Sequence, residues 1–67
     1  MRGFIEFWKS SYGFIKDDEN GKSFFVHISS FPAGEQPAKG CIVTFDEGRT
    51  SKGPVALNVQ IVRGGGK

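Results

Sequence analysis

The sequence predicts an all-β chain of five short strands closed into a small barrel, and three observations carry that expectation. Short runs rich in Phe, Ile and Val alternate with turn-forming clusters. No stretch long enough for a stable helix places its apolar residues at three-to-four spacing. With only 67 residues, five strands in an open sheet would leave unpaired edges, and curling the sheet shut removes them. A chain this short is one domain at most, near the smallest that a hydrophobic core alone can hold, so each large apolar side chain has a strong claim to the interior.

The strands are expected at residues 3–9, 12–16, 23–28, 41–47 and 55–62. Only Ser10-Ser11 separates the first two, and "DDENGK" between the second and third contains Asn20-Gly21, the pair that best tolerates the positive φ of a tight hairpin. The first three strands should therefore form an antiparallel meander. After it, "SSFPAGEQPAKG" holds two prolines and two glycines and reads as a long crossing loop, opening with a 3₁₀ turn at Ser29-Ser30-Phe31. "EGRTSKGP" reads as the loop into the last strand, with Gly53-Pro54 fixing the entry. The domain is expected to span residues 1–62, and "RGGGK" at 63–67, which has little to pack, to be a disordered tail.

Composition excludes several function classes. The single cysteine, Cys41, permits no internal disulfide and reads as a small strand residue, and with one histidine no four-ligand Cys/His zinc site can be assembled. "DDEN" at 17–20 lacks the ligand spacing of a calcium loop and reads as a solvated hairpin tip. No constellation of nucleophile and base appears, so neither an enzyme nor a metal or other cofactor is expected. No apolar run is long enough to cross a membrane, and "MRGFIEFW" has no signal-peptide pattern, so a cytoplasmic protein without a membrane partner is expected. The net charge is only +2, too small for charge alone to supply affinity for nucleic acid. Seven Phe, one Trp and one Tyr, against a lone Leu57 and a lone Met1, make ring surface the more informative resource.

Side chains alternate faces along a strand, which sorts those rings. Ile15, Phe24, Val26 and Ile28 form one apolar set. Tyr12, Phe14, Phe25 and His27 form the other, and a tyrosine hydroxyl and a histidine are poor occupants of a barrel too small to satisfy them. These four should face outward on the paired second and third strands as a continuous platform. On the first strand, strict alternation puts Phe7 inside with Ile5 and Trp8 outside with Glu6, whereas a bulge would expose part of both Phe7 and Trp8. Phe31 either plugs the barrel end or borders the platform, and it counts among the candidate binding residues.

Exposed rings on an open sheet suit nucleobases, and stacking needs an unpaired base face, which selects single strands over duplex. Lys9, Lys16 and Lys52 would flank the platform and meet phosphates, while Ser10, Ser11 and Ser23 offer hydrogen bonds. A small barrel whose aromatic patch meets a peptide or partner protein is the alternative.

The chain resembles the bacterial cold-shock domain proteins over essentially its whole length. "SYGFI" at 11–15 is similar to that family's first ribonucleoprotein motif, K-G-F-G-F-I, and "FFVHIS" at 24–29 to the second, V-F-V-H-F-S. "VTF" at 43–45, "KGP" at 52–54 and "ALNV" at 56–59 fall where the family has comparable segments. The resemblance implies a five-stranded antiparallel OB-fold barrel that binds single-stranded RNA and DNA, often preferring pyrimidine-rich stretches, and acts as an RNA chaperone in transcription and translation. By position it implies Phe7, Tyr12, Phe14, Phe25 and His27 as binding rings, with Trp8, Lys9 and Lys52 in support.

The departures are specific. The order Phe7-Trp8 reverses the usual Trp-Phe, and the next loop is shorter, with Ser10-Ser11 in place of lysine and glycine. Glu6 stands where a basic residue is common, Ile28 replaces a frequent aromatic, and the loop after Phe31 is shorter and lacks a ring. These changes imply fewer subsites or weaker binding than in a typical member. A monomer is expected, with hairpin exchange as a route to a dimer.

Overall fold

Alternation of apolar and polar side chains sets the inside of a barrel whose strands are short enough to close on each other. The structure, a computed structural model, describes residues 1–62, and the expected disordered tail lies outside the described residues. The elements are β1 (Arg2–Lys9), β2 (Tyr12–Asp17), β3 (Ser23–His27), a 3₁₀ turn (Ile28–Ser30), β4 (Ile42–Thr50) and β5 (Gly53–Ile61). They close in the spatial order β1-β2-β3-β5-β4, with β4 returning to β1 through Arg2↔Thr44, Gly3↔Val43 and Phe4↔Ile42.

The meander β1-β2-β3 is antiparallel as expected. One pairing departs from the all-antiparallel expectation: β3 meets β5 in parallel, at Phe25↔Val55. The chain crosses from β3 to the far side of the barrel before β4, so β5 approaches β3 running in the same direction.

The segment read as a loop at 47–54 is mostly strand. β4 continues to Thr50 and β5 begins at Gly53, leaving only Ser51-Lys52 at the tip. Pro54 is tolerated there opposite Arg49, in the part of the ribbon whose residues are polar or exposed, and polar strand ends carry no alternating pattern to read. A register shift lies in this ribbon between Thr44 and Asp46. Asn58, at φ 51°, takes up the extra residue, and its Nδ2 donates to Asp46 Oδ2 at 3.1 Å.

Ile5, Ile15, Phe24, Val26, Phe31, Val43, Phe45, Ala56 and Val59 form the core, with the rings of Phe24 and Phe45 5.2 Å apart. Ile28 begins the 3₁₀ turn, one residue earlier than the sequence suggests, and packs half-buried against this core. Cys41 lies just before β4, half-buried, with its carbonyl accepting the Ile5 N–H at 2.9 Å.

The "DDEN" turn is not wholly a solvated tip. Asp17 is buried, and its Oδ1 accepts the N–H of Glu19 at 2.7 Å and of Asn20 at 3.2 Å. Asn20 Oδ1 in turn accepts the Lys22 N–H at 2.9 Å, and Gly21 supplies φ 72°. Asp17 thus anchors the hairpin by satisfying backbone donors that would otherwise be lost.

Candidate nucleic-acid interface

The register of β1 against β2 decides where its rings go. Ile5 pairs with Ile15 and Phe7 with Phe14, so Glu6 is an extra residue on β1. This bulge resets the alternation. Ile5 stays fully buried, Glu6 is exposed, and Phe7 turns outward with 42% of its surface exposed, which corrects the strict-alternation expectation for Phe7. Trp8 is half-buried and packs against the core. Its indole lies over Gly13, where an added Cβ would come within 2.6 Å of Trp8 Cε3 and collide with the Phe7 carbonyl. A side chain at residue 13 would displace the indole and push the two strands apart.

On β2 and β3 the alternation holds without interruption. Tyr12 opposes His27, and Phe14 opposes Phe25. Phe14 and Phe25 are each 38% exposed, Tyr12 is half-buried and His27 exposed. With Phe7, three of these rings close a circuit. Centroids lie 6.4 Å apart for Phe7–Tyr12, 5.9 Å for Tyr12–Phe25, 5.9 Å for Phe25–Phe14 and 6.3 Å for Phe14–Phe7. Tyr12 and Phe25 are nearly parallel at 25°, and Phe14 stands edge-on to Phe25 at 76°. Each ring is braced by two others, so the platform is held in place before any ligand arrives.

His27 sits at one end of this circuit. Its Nδ1 accepts the Ser29 N–H at 3.1 Å and lies 3.0 Å from Ser29 Oγ, capping the 3₁₀ turn. An Nδ1 that accepts puts the neutral ring's proton on Nε2, leaving that atom as a donor.

Lys9 is exposed beside Tyr12, its partner across the first hairpin. Lys16 is half-buried opposite Ser23. Lys52 arrives from the other end of the sequence: the β4–β5 tip, with Pro54 and Val55, joins Phe14 and Phe25 in lining a cleft of about 510 Å³. Thr50 Oγ1 shapes that tip, accepting the Lys52 N–H at 3.2 Å and donating to the Gly53 carbonyl at 3.3 Å.

Phe31 is corrected among the candidate binding residues. Only 7% exposed, it belongs to the core and meets Trp8 edge to face at 5.6 Å and 85°. Sequence reasoning missed Thr50, Ser51, Pro54 and Val55 as cleft residues. Pro54 lies in "KGP" and Ser51 and Val55 flank it, but what brings them to Phe25 is the parallel β3–β5 contact, which no local pattern encodes.

A second depression of about 530 Å³ is lined by Met1, Arg2, Asp17, Asp18, Glu19, Asn20 and Thr44. Its wall sets three carboxylates against the Arg2 guanidinium and the Met1 ammonium and holds no ring, so it offers nothing on which a base could stack. Lys52 and the rings of Phe14 and Phe25 give the other cleft the chemistry that bases and phosphates require. No group of three or more metal-ligating side chains, and no helix long and apolar enough to cross a membrane, occurs among the described residues.

Comparison with known proteins agrees with this geometry. No curated protein matches the chain. Among solved structures, a chain described as Drosophila Unr CSD456 superposes with a TM-score of 0.78 at 17% identity, over 92% of this chain and 26% of that one. The present chain therefore spans about a quarter of that longer chain's length, and the likeness is one of fold. The model of the 'Cold-shock' DNA-binding domain matches residues 1–62, the whole of the barrel. The five-stranded closure, the ring-bearing face and that match over the entire fold lead to one assignment: the chain belongs to the cold-shock DNA-binding domain family, whose members bind nucleic acid.

Proposed function

We propose that this chain is a cold-shock protein of the bacterial type that binds single-stranded RNA and DNA by stacking unpaired bases on Phe7, Tyr12, Phe14 and Phe25. His27 and Trp8 border the stack, and Lys9 and Lys52 meet phosphates. By holding strands open it acts as an RNA chaperone in the cytoplasm, where it influences transcription and translation. The supporting observation is the closed circuit of four mutually braced, outward-facing rings. Such a face costs solubility unless a flat ligand covers it. Base–aromatic stacking is worth roughly 1–3 kcal/mol per base, and it is open only to bases free of a duplex.

Trp8 reports the binding. Oligothymidine is expected to change its fluorescence saturably, and duplex of equal length to leave it unchanged. Equal responses to both would overturn the reading. Two or three phosphate contacts give a log–log salt slope of about −1.5 to −2, at roughly −0.7 per contact with single strands. A slope near −6 would mean that charge, not stacking, drives association. The chaperone role adds a separate outcome: stoichiometric protein should lower the melting temperature of a short RNA hairpin.

A further inference from the structure

The β1 bulge does more than expose Phe7. It sets two consecutive side chains, Glu6 and Phe7, outward between Ile5 and Trp8. Glu6 Oε1 accepts from Ser23 Oγ at 3.5 Å, although Ser23 lies on β3 and β2 runs between them. Ser23 is two residues from Phe25 on the same outward face and opposes Lys16, while Phe25 opposes Phe14. The carboxylate therefore reaches across the margin of the ring platform, past Phe14, to within 3.5 Å of Ser23 Oγ. Glu6 has no other hydrogen bond or ion pair among the described residues, which leaves Oε2 as an acceptor at the platform's edge.

A carboxylate on a surface for a polyanion opposes phosphates, so its useful contact is with the edge of a stacked base. We infer that Glu6 is a specificity-determining residue that favours cytosine over uracil or thymine at the position stacked on Phe14. This inference rests on the stacking reading above. In the proposed pose a pyrimidine on Phe14 turns the group at its C4, and not N3, toward the margin where Oε2 lies. In cytosine that group is an amine, which donates to a carboxylate, as Asp and Glu accept from cytosine N4 in duplex recognition. In uracil and thymine it is a carbonyl, whose lone pairs face those of Oε2. Ser23 acts as a positioning residue by fixing the carboxylate.

The test compares dC6 with dT6, which carry the same number of phosphates, by fluorescence anisotropy at fixed salt and neutral pH. The proteins are the wild type, Glu6→Ala and Ser23→Ala. Relative to Glu6→Ala, the wild type is expected to shift the dC6:dT6 affinity ratio toward cytosine by about fivefold or more, in line with base-edge discrimination. Ser23→Ala should shift the ratio part of the way toward that of Glu6→Ala. If Glu6→Ala tightens both oligonucleotides equally, Glu6 acts only on phosphates and the inference is overturned, while stacking stands. If the wild type binds neither, the stacking reading fails, and the inference with it. Glu6 is exposed on the barrel's outer face, so the variant is expected to fold, and its urea midpoint checks that it does.

Discussion

Trp8 and Phe31 meet edge to face beneath the ring platform, their ring centroids 5.6 Å apart at 85°. Phe31 is buried in this pair, and Trp8 is shared between core and face. Replacing Phe31 by Ala should cost about 3–5 kcal/mol, out of the roughly 3–10 kcal/mol that a domain of this size possesses. Urea unfolding followed by Trp8 emission measures this, and Phe31→Leu provides a milder variant that stays folded. Wild-type stability with lost binding in Phe31→Ala would return Phe31 to the surface.

Phe14→Ala and Phe25→Ala should behave in the opposite way. Each is expected to weaken single-strand binding by about 1–3 kcal/mol, with stability changed by less than about 1 kcal/mol because both rings are already partly in solvent. Paired titration and denaturation curves separate the two effects. An unfolded variant would show that the outward assignment is wrong.

Gly13 has no room for a side chain. An added Cβ meets the Phe7 carbonyl and Trp8 Cα, backbone atoms that move only if β1 and β2 separate. Gly13→Ala is expected to lower stability by about 1–3 kcal/mol, the usual range for overpacking. It should also alter Trp8 emission in the native state, because the indole covers that position. A urea midpoint equal to wild type would contradict this packing.

Ser10 turns the first hairpin at φ 52°, a left-handed conformation that costs an L-residue about 1–2 kcal/mol. Ser10→Gly relieves that strain but adds freedom to the unfolded chain, worth about 0.4–1 kcal/mol. A net gain of about 0.5 kcal/mol is expected in thermal or urea unfolding. Destabilisation would mean that the Ser10 side chain makes a contribution larger than its strain.

Much of the fold was legible because β2 and β3 alternate cleanly. "YGFI" and "FFVH" each carry one wholly apolar face, so their register and orientation could be read without any partner in view. The meander followed from Ser10-Ser11 and Asn20-Gly21, which permit few other connections. Phe7 was ambiguous because a bulge is one residue long and leaves no mark on composition. The parallel β3–β5 closure, and with it the cleft at Val55, depends on segments thirty residues apart in sequence. Phe31 had two readings because a ring flanked by serine and proline has no periodicity to place it.

That parallel contact also orders events in time. The ring-bearing meander is made of neighbours in sequence, whereas Phe25 finds Val55 only after the long crossing loop and β4 are in place. Closing so large a loop is an entropic cost met late, and non-local pairings of this kind slow folding. The rings can therefore assemble early, but Lys52 and the cleft wall reach them only when the barrel shuts. On the proposed stacking, full affinity for a strand should accordingly arise in the final step of folding, and a nascent chain lacking β5 would display the rings and Lys9 before Lys52 is held beside the cleft.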